Sequence, residues 1–150
     1  MINSMKRILM LVVLLGALFA ANAAGYNAKQ EALISAIEKN LKEQSYSVER
    51  QDDGLKFKSE GVTYYVEVDK DETNPMYVRL CRYVKFDDKI KRDKVMKKLN
   101  DLNAKYAVKA YCKEKNVIFS AEMFVTSADQ FNYAFNDMLS LIKSAYETIE

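Results

Sequence analysis

The chain has 150 residues, with 23 basic and 21 acidic side chains, four glycines, one proline, two cysteines and no histidine. The missing histidine excludes Ser-His-Asp and Cys-His catalysis and His-ligated zinc, and two cysteines do not complete a structural zinc set alone. The slight positive balance is too small for a phosphate-binding surface, so nucleic acid is not an expected partner.

The N-terminus reads as a secretory signal. Lys6 and Arg7 precede an apolar run from Ile8 to Ala21, and Ala21-Asn22-Ala23 supplies the small-residue cleavage pattern. The run falls short of the roughly 20 residues that a membrane-spanning helix needs. Residues 1–23 are therefore expected to be removed, leaving a periplasmic or secreted protein with no membrane attachment after cleavage. No cysteine lies near the cut to carry a lipid. Cleavage removes two basic residues and no acidic one, so the mature chain balances at 21 of each. Residues 24–150 suffice for one domain with one core.

The mature chain opens with a helical period. Leu33, Ile34, Ile37 and Leu41 share one stripe, and Asn27 with Gln30 forms a capping box at its start. From Tyr46 the period falls to two, and YSVER, LKFKSE, VTYYVEV and MYVRLCRYVKF read as four strands separated by QDDG, EG and DKDETNP. In the third, Val62, Tyr64, Val66 and Val68 take one face, while Thr63, Tyr65 and Glu67 take the other. Pro75 has no donor N–H and stands before the fourth strand.

A second helix follows through Val95, Leu99 and Leu102, with Asp87 or Asp88 able to cap its start. YAVKAYC and NVIFSAEMFV form a hairpin across KEKN. A last helix carries Phe131, Phe135, Met138, Ile142, Ala145 and Ile149 on one stripe behind the capping pair Ser127 and Gln130. One-faced helices and alternating strands predict an α+β two-layer sandwich in the order α-β-β-β-β-α-β-β-α. Its largely antiparallel sheet has helices on one face.

Asn100 and Asn103 fall in the last turns of the middle helix and are expected to terminate it. Glu122, between Ala121 and Met123, is expected to be a solvated strand carboxylate. The run LNDLNAKY, AVKAYC, NVIFSAEMFV and the aromatic terminal helix resembles the C-terminal half of the YbjN-like family, which has a type III secretion chaperone-like fold. Upstream, DDGLKFKSEGVTYYVEVD is similar to that family's N-terminal meander, so the likeness covers most of residues 27–150. The resemblance implies the fold, a tendency to dimerise and protein-binding or regulatory behaviour. It implies no catalytic residue, and the secretory signal departs from cytosolic chaperones.

No GxSxG elbow, phosphate-binding glycine loop or dinucleotide fingerprint occurs, and no cofactor is expected. DKDETN clusters carboxylates but departs from the calcium loop at its fifth position and lacks the glycine after it. Export favours a bridge between Cys81 and Cys112. Strand alternation opposes one, because it puts Cys81 with Tyr77, Arg79 and Tyr83 but Cys112 with Val108 and Ala110. Both outcomes stay open at this point.

With helices over the Val and Leu face, Tyr65, Tyr77, Arg79, Tyr83, Lys109 and Tyr111 populate the uncovered one. Tyr with Arg is the composition of interaction hot spots. The same rings would also stiffen an exposed sheet by cross-strand packing. The leading expectation is a non-enzymatic exported module that holds a protein or peptide, with a homodimer also in view. The alternatives are a cell-envelope hydrolase using paired carboxylates and a purely structural, self-associating protein.

Overall fold

A computed structural model of the chain describes residues 25–85 and 89–149, with the side chains of residues 89–92 left aside. The expected signal peptide and the caps at Asp87 and Asp88 lie outside the described residues. The element order is α1 (Ala28–Glu43), β1 (Ser47–Gln51), β2 (Gly54–Ser59), β3 (Val62–Thr73), β4 (Met76–Lys85), α2 (Lys89–Lys105), β5 (Lys109–Lys113), β6 (Asn116–Val125) and α3 (Ala128–Glu147). This is the expected α+β order.

All six strands join one antiparallel sheet in the order β1-β2-β3-β4-β6-β5. The meander ends at β4. Helix α2 then carries the chain past the position of β6 to the far edge, and β6 returns to pair along the whole of β4. The longest strands, β3, β4 and β6, thus stand side by side in the middle of the sheet.

Each helix turns its apolar stripe to the same sheet face. Leu33, Ile37 and Leu41 of α1, Leu99 and Leu102 of α2, and Phe131, Phe135 and Ile142 of α3 are buried against Leu55, Phe57, Tyr64, Val66, Val78, Leu80 and Phe119. The aromatic members pack edge-on or tilted, as Phe57 does against Tyr46 and Phe135, the geometry that ring quadrupoles favour. Arg82 shares this face and lays its guanidinium 3.4 Å from the ring centre of Tyr146.

The start of α1 matches expectation and goes further. Asn27 Oδ1 accepts from the backbone N–H of Lys29 and Gln30, and Gln30 Oε1 accepts from that of Asn27. The same Gln30 is fully buried, and its Nε2 donates to the carbonyls of Asp69 and Lys70 at 2.9 and 3.1 Å. One side chain thereby caps the helix and ties it to the end of β3.

That tie explains a departure from the sequence reading. Residues 69–73 were expected in a loop, yet β3 continues to Thr73 through a register shift between Val68 and Thr73. Asp69 Oδ1 accepts from the N–H of Asp71 at 2.8 Å, so this carboxylate serves the chain turn itself. At the β1–β2 turn Gly54 has φ 142°, and a Cβ there would stand 2.0 Å from the Val66 carbonyl oxygen. Only glycine fits.

The helix caps supply two corrections. α2 runs past Asn100 and Asn103 to Lys105. Instead of terminating it, Asn103 turns its amide to the outermost strand, accepting from Ala110 N–H at 2.7 Å and donating to Ala110 C=O at 3.0 Å. Ser127 does occupy the N-cap of α3 but makes no side-chain cap bond, and Gln130 reaches back to the N–H of Thr126 at 2.7 Å.

Candidate functional site on the open sheet face

Strand alternation leaves one sheet face without a helix among the described elements. Cross-strand register arranges its residues in rows. Tyr77 of β4 stands opposite Phe124 of β6. The next row runs Glu67, Arg79, Glu122 over β3, β4 and β6. Beyond it come Tyr65, Cys81, Ser120 and Lys109, then Tyr83, Ile118 and Tyr111. All six residues expected on the open face, Tyr65, Tyr77, Arg79, Tyr83, Lys109 and Tyr111, are brought together there.

The face has a floor and a canopy. Cys81, Ile118 and Ser120 are small or compact and buried, although they point away from the helices. Longer side chains arch over them. Tyr65 and Tyr83 meet edge-to-face at 5.2 Å, and Tyr77 leans on Phe124 at 5.1 Å.

Arg79 is the pivot of the polar row. Its Nε donates to Glu67 Oε2 at 2.6 Å, and its Nη1 reaches the Tyr111 hydroxyl at 3.4 Å. Glu67 is only 7% exposed and also accepts from the Tyr83 hydroxyl. Burial opposes the charge of Arg79, but Glu67 and its other neighbours outweigh that and raise its pKa above the ordinary guanidinium value. Burial and the bond to Glu67 together push the Tyr83 phenol well above its ordinary range.

Glu122 is not the solvated carboxylate expected from its sequence position. It accepts from the Tyr77 hydroxyl, accepts from Ser120 Oγ at 2.7 Å and lies 3.6 Å from Lys109 Nζ. Burial alone would raise its pKa. The donors Tyr77 and Ser120 and the charges of Lys109 and Arg79 outweigh it and hold the carboxyl below the usual range. Tyr77 rises correspondingly, through burial first and the bond to Glu122 second.

These states limit the chemistry of the face. An acid catalyst for glycoside cleavage must hold its proton near neutral pH, and Glu122 is instead held ionised. Burial pushes the Cys81 thiol far above the thiol range, away from the nucleophilic thiolate. Cys112 packs against the helix-side core on the opposite face, and no disulfide joins it to Cys81. What the face presents is a preorganised set of rings, donors and acceptors on paired strands.

Two members escaped the sequence reading. Phe124 lies beside Tyr77 and is 58% exposed, the largest apolar ring open to solvent on this face. Ile118 forms part of the floor. Both have the parity of Ser120 and Glu122 and were readable from it, but an apolar residue in an apolar strand draws the eye to the core.

Clefts also open away from this face, two of them beside α1. One of about 410 Å³ is lined by Tyr26, Glu31, Arg50, Asp52 and Lys70, and burial beside Asp53 and Glu31 raises the Tyr26 phenol to about 12. The other, about 400 Å³, runs between Ala32 and Ala36 of α1 and the Thr126–Ala128 corner. Neither holds a residue of the open face. Comparison of the chain with models of known protein families and with curated proteins finds no match.

Proposed function

We propose that the chain is a non-enzymatic, exported relative of the YbjN-like family that holds a protein or peptide partner on its open sheet face. One observation carries this reading: Phe124, Tyr83 and Tyr111 stand at the solvent side of a face whose polar row is already paired internally. Such rings offer contact area at low entropic cost, because the hydrogen bonds beneath them fix the platform before a partner arrives.

The test uses positions whose removal leaves no buried charge behind. Phe124→Ala combined with Tyr111→Ala should weaken capture of a partner from the host's envelope fraction, with the melting temperature nearly unchanged. Undiminished capture by that double variant would count against the reading. Arg79→Ala is unsuitable here, because it strips Glu67 of its partner and tests the fold instead.

A further inference from the structure

The near-balance of charge in residues 24–150, 21 basic against 21 acidic, conceals an uneven distribution. Helix α2 holds seven of the 23 basic residues and only two of the 21 acidic ones. Residues 89–115 together carry ten basic and three acidic side chains, whereas residues 28–73 carry seven and eleven. The sheet order puts β1 and β5 at opposite edges. Within 28–73, α1 and β1 are charge-balanced, and the acidic excess gathers at the β1–β2 turn and the end of β3 through Asp52, Asp53, Asp69, Asp71 and Glu72. With strands about 4.8 Å apart, β3 stands roughly 14 Å from β5.

Lys94, Lys97 and Lys98 are exposed on α2, and no ion pair joins them to a described residue. Lys113 and Lys115 extend the exposed patch around the β5–β6 turn; Asp93, Asp101 and Glu114 are the acidic groups within it. Val95, Leu99 and Leu102 bury the inner stripe of α2, while Met96 lies 49% exposed among the lysines.

We propose that this α2–β5 end is a peripheral docking surface for an anionic lipid bilayer. A dipolar molecule of this kind is turned by a negative surface so that its cationic end leads, and each lysine near that surface adds to the attraction. Met96 gives the end an apolar contact at the headgroup boundary. Attachment is peripheral, since no described helix is long and apolar enough to cross a membrane.

Two other anionic partners fit less well. Single-stranded nucleic acid is gripped by aromatics interleaved with basic groups, whereas α2, which carries Lys94, Lys97 and Lys98, contains no aromatic residue, and the rings of this end, Tyr106 and Tyr111, lie beyond the helix. A second copy would have to offer acidic groups, and of these Glu31 and Glu38 are held by Arg50 at 3.0 and 2.7 Å, Glu49 by Lys56 at 2.9 Å, and Asp69 accepts from the Asp71 N–H at 2.8 Å, which leaves Asp52, Asp53, Asp71 and Glu72 for a copy to present.

The core of the described residues lies wholly between Leu33 and Ile149, so a chain beginning at Ala24 carries all of it and lacks the apolar leader. That chain would be floated with vesicles of phosphatidylcholine, alone or with about one third phosphatidylglycerol. Binding is expected only to the anionic vesicles, falling steeply with added salt. The triple variant Lys94→Glu/Lys97→Glu/Lys98→Glu should bind about a hundredfold more weakly, and Lys39→Glu on α1, away from this end, should bind as the parent does. No flotation with anionic vesicles, equal flotation with neutral ones or an unaffected triple variant would each overturn the proposal. So would duplex DNA binding as tightly at matched charge, or salt-sensitive self-association in place of vesicle binding.

Discussion

Arg79 Nε lies 2.6 Å from Glu67 Oε2, between two carboxylates that cross-strand register places on either side of it. Glu67 is nearly out of water and depends on this guanidinium and the Tyr83 hydroxyl. Removing one partner of such a pair leaves a buried charge uncompensated, at a cost of about 3 kcal/mol. Arg79→Ala should therefore lower stability by about that amount in urea unfolding, and adding Glu67→Gln should recover much of the loss. Loss of less than about 0.5 kcal/mol on Arg79→Ala would show the pair to be a surface contact.

The Glu122 carboxyl titrates lower in the folded chain than unfolded, so its stabilising effect is complete above the ordinary carboxylate range, near pH ~4.3. It is lost as pH falls through the lower folded value. Acid unfolding followed by circular dichroism should show a shallower pH dependence below about pH 4 for Glu122→Gln than for the parent. Parallel acid limbs would contradict the network drawn around Ser120, Tyr77 and Lys109.

The phenols give the opposite sign. Tyr77 and Tyr83 titrate higher in the folded chain than unfolded, so they stabilise below about pH 10 and that stabilisation fades as pH rises beyond it. Ultraviolet titration should find a late group of tyrosines whose ionisation coincides with alkaline unfolding. Tyr83→Phe should remove one phenol from that group and none from the early one.

At the sheet edge Asn103 does for Ala110 what a neighbouring strand would do, pairing both backbone groups. Asn103→Ala leaves that N–H and C=O open at the outer edge of β5. A loss of about 1 to 2 kcal/mol is expected, together with a greater tendency to aggregate on heating, since an unpaired edge templates further strands. Asn103→Asp keeps the acceptor alone and should fall between the two.

Much of this was legible in the sequence because a strand has a period of two. Once Tyr64 and Val66 are assigned to the core, Tyr65 must face away, and Tyr77, Arg79, Tyr83, Lys109 and Tyr111 follow by the same parity. Register was not legible. The pairing of Arg79 with Glu67 depends on the shift within residues 69–73, which a buried Gln30 some forty positions earlier holds in place. The docking of β6 beside β4, which brings Glu122 to Arg79, is likewise a long-range choice. Asn103 looked like a helix terminator because its partner, Ala110, lies beyond the helix on another element.

The claim that the open face is the binding surface is tested most directly by site-specific photocrosslinking in the native host. A benzophenone amino acid replaces Phe124 on that face and, in a second protein, Tyr133 on the outer side of α3, where 91% of the residue is exposed. The account predicts a discrete adduct with another polypeptide from position 124 and none from position 133. Equal adducts from both positions, or adducts from 133 alone, would contradict it, and an adduct of position 124 with a second copy of this chain would assign the face to self-association.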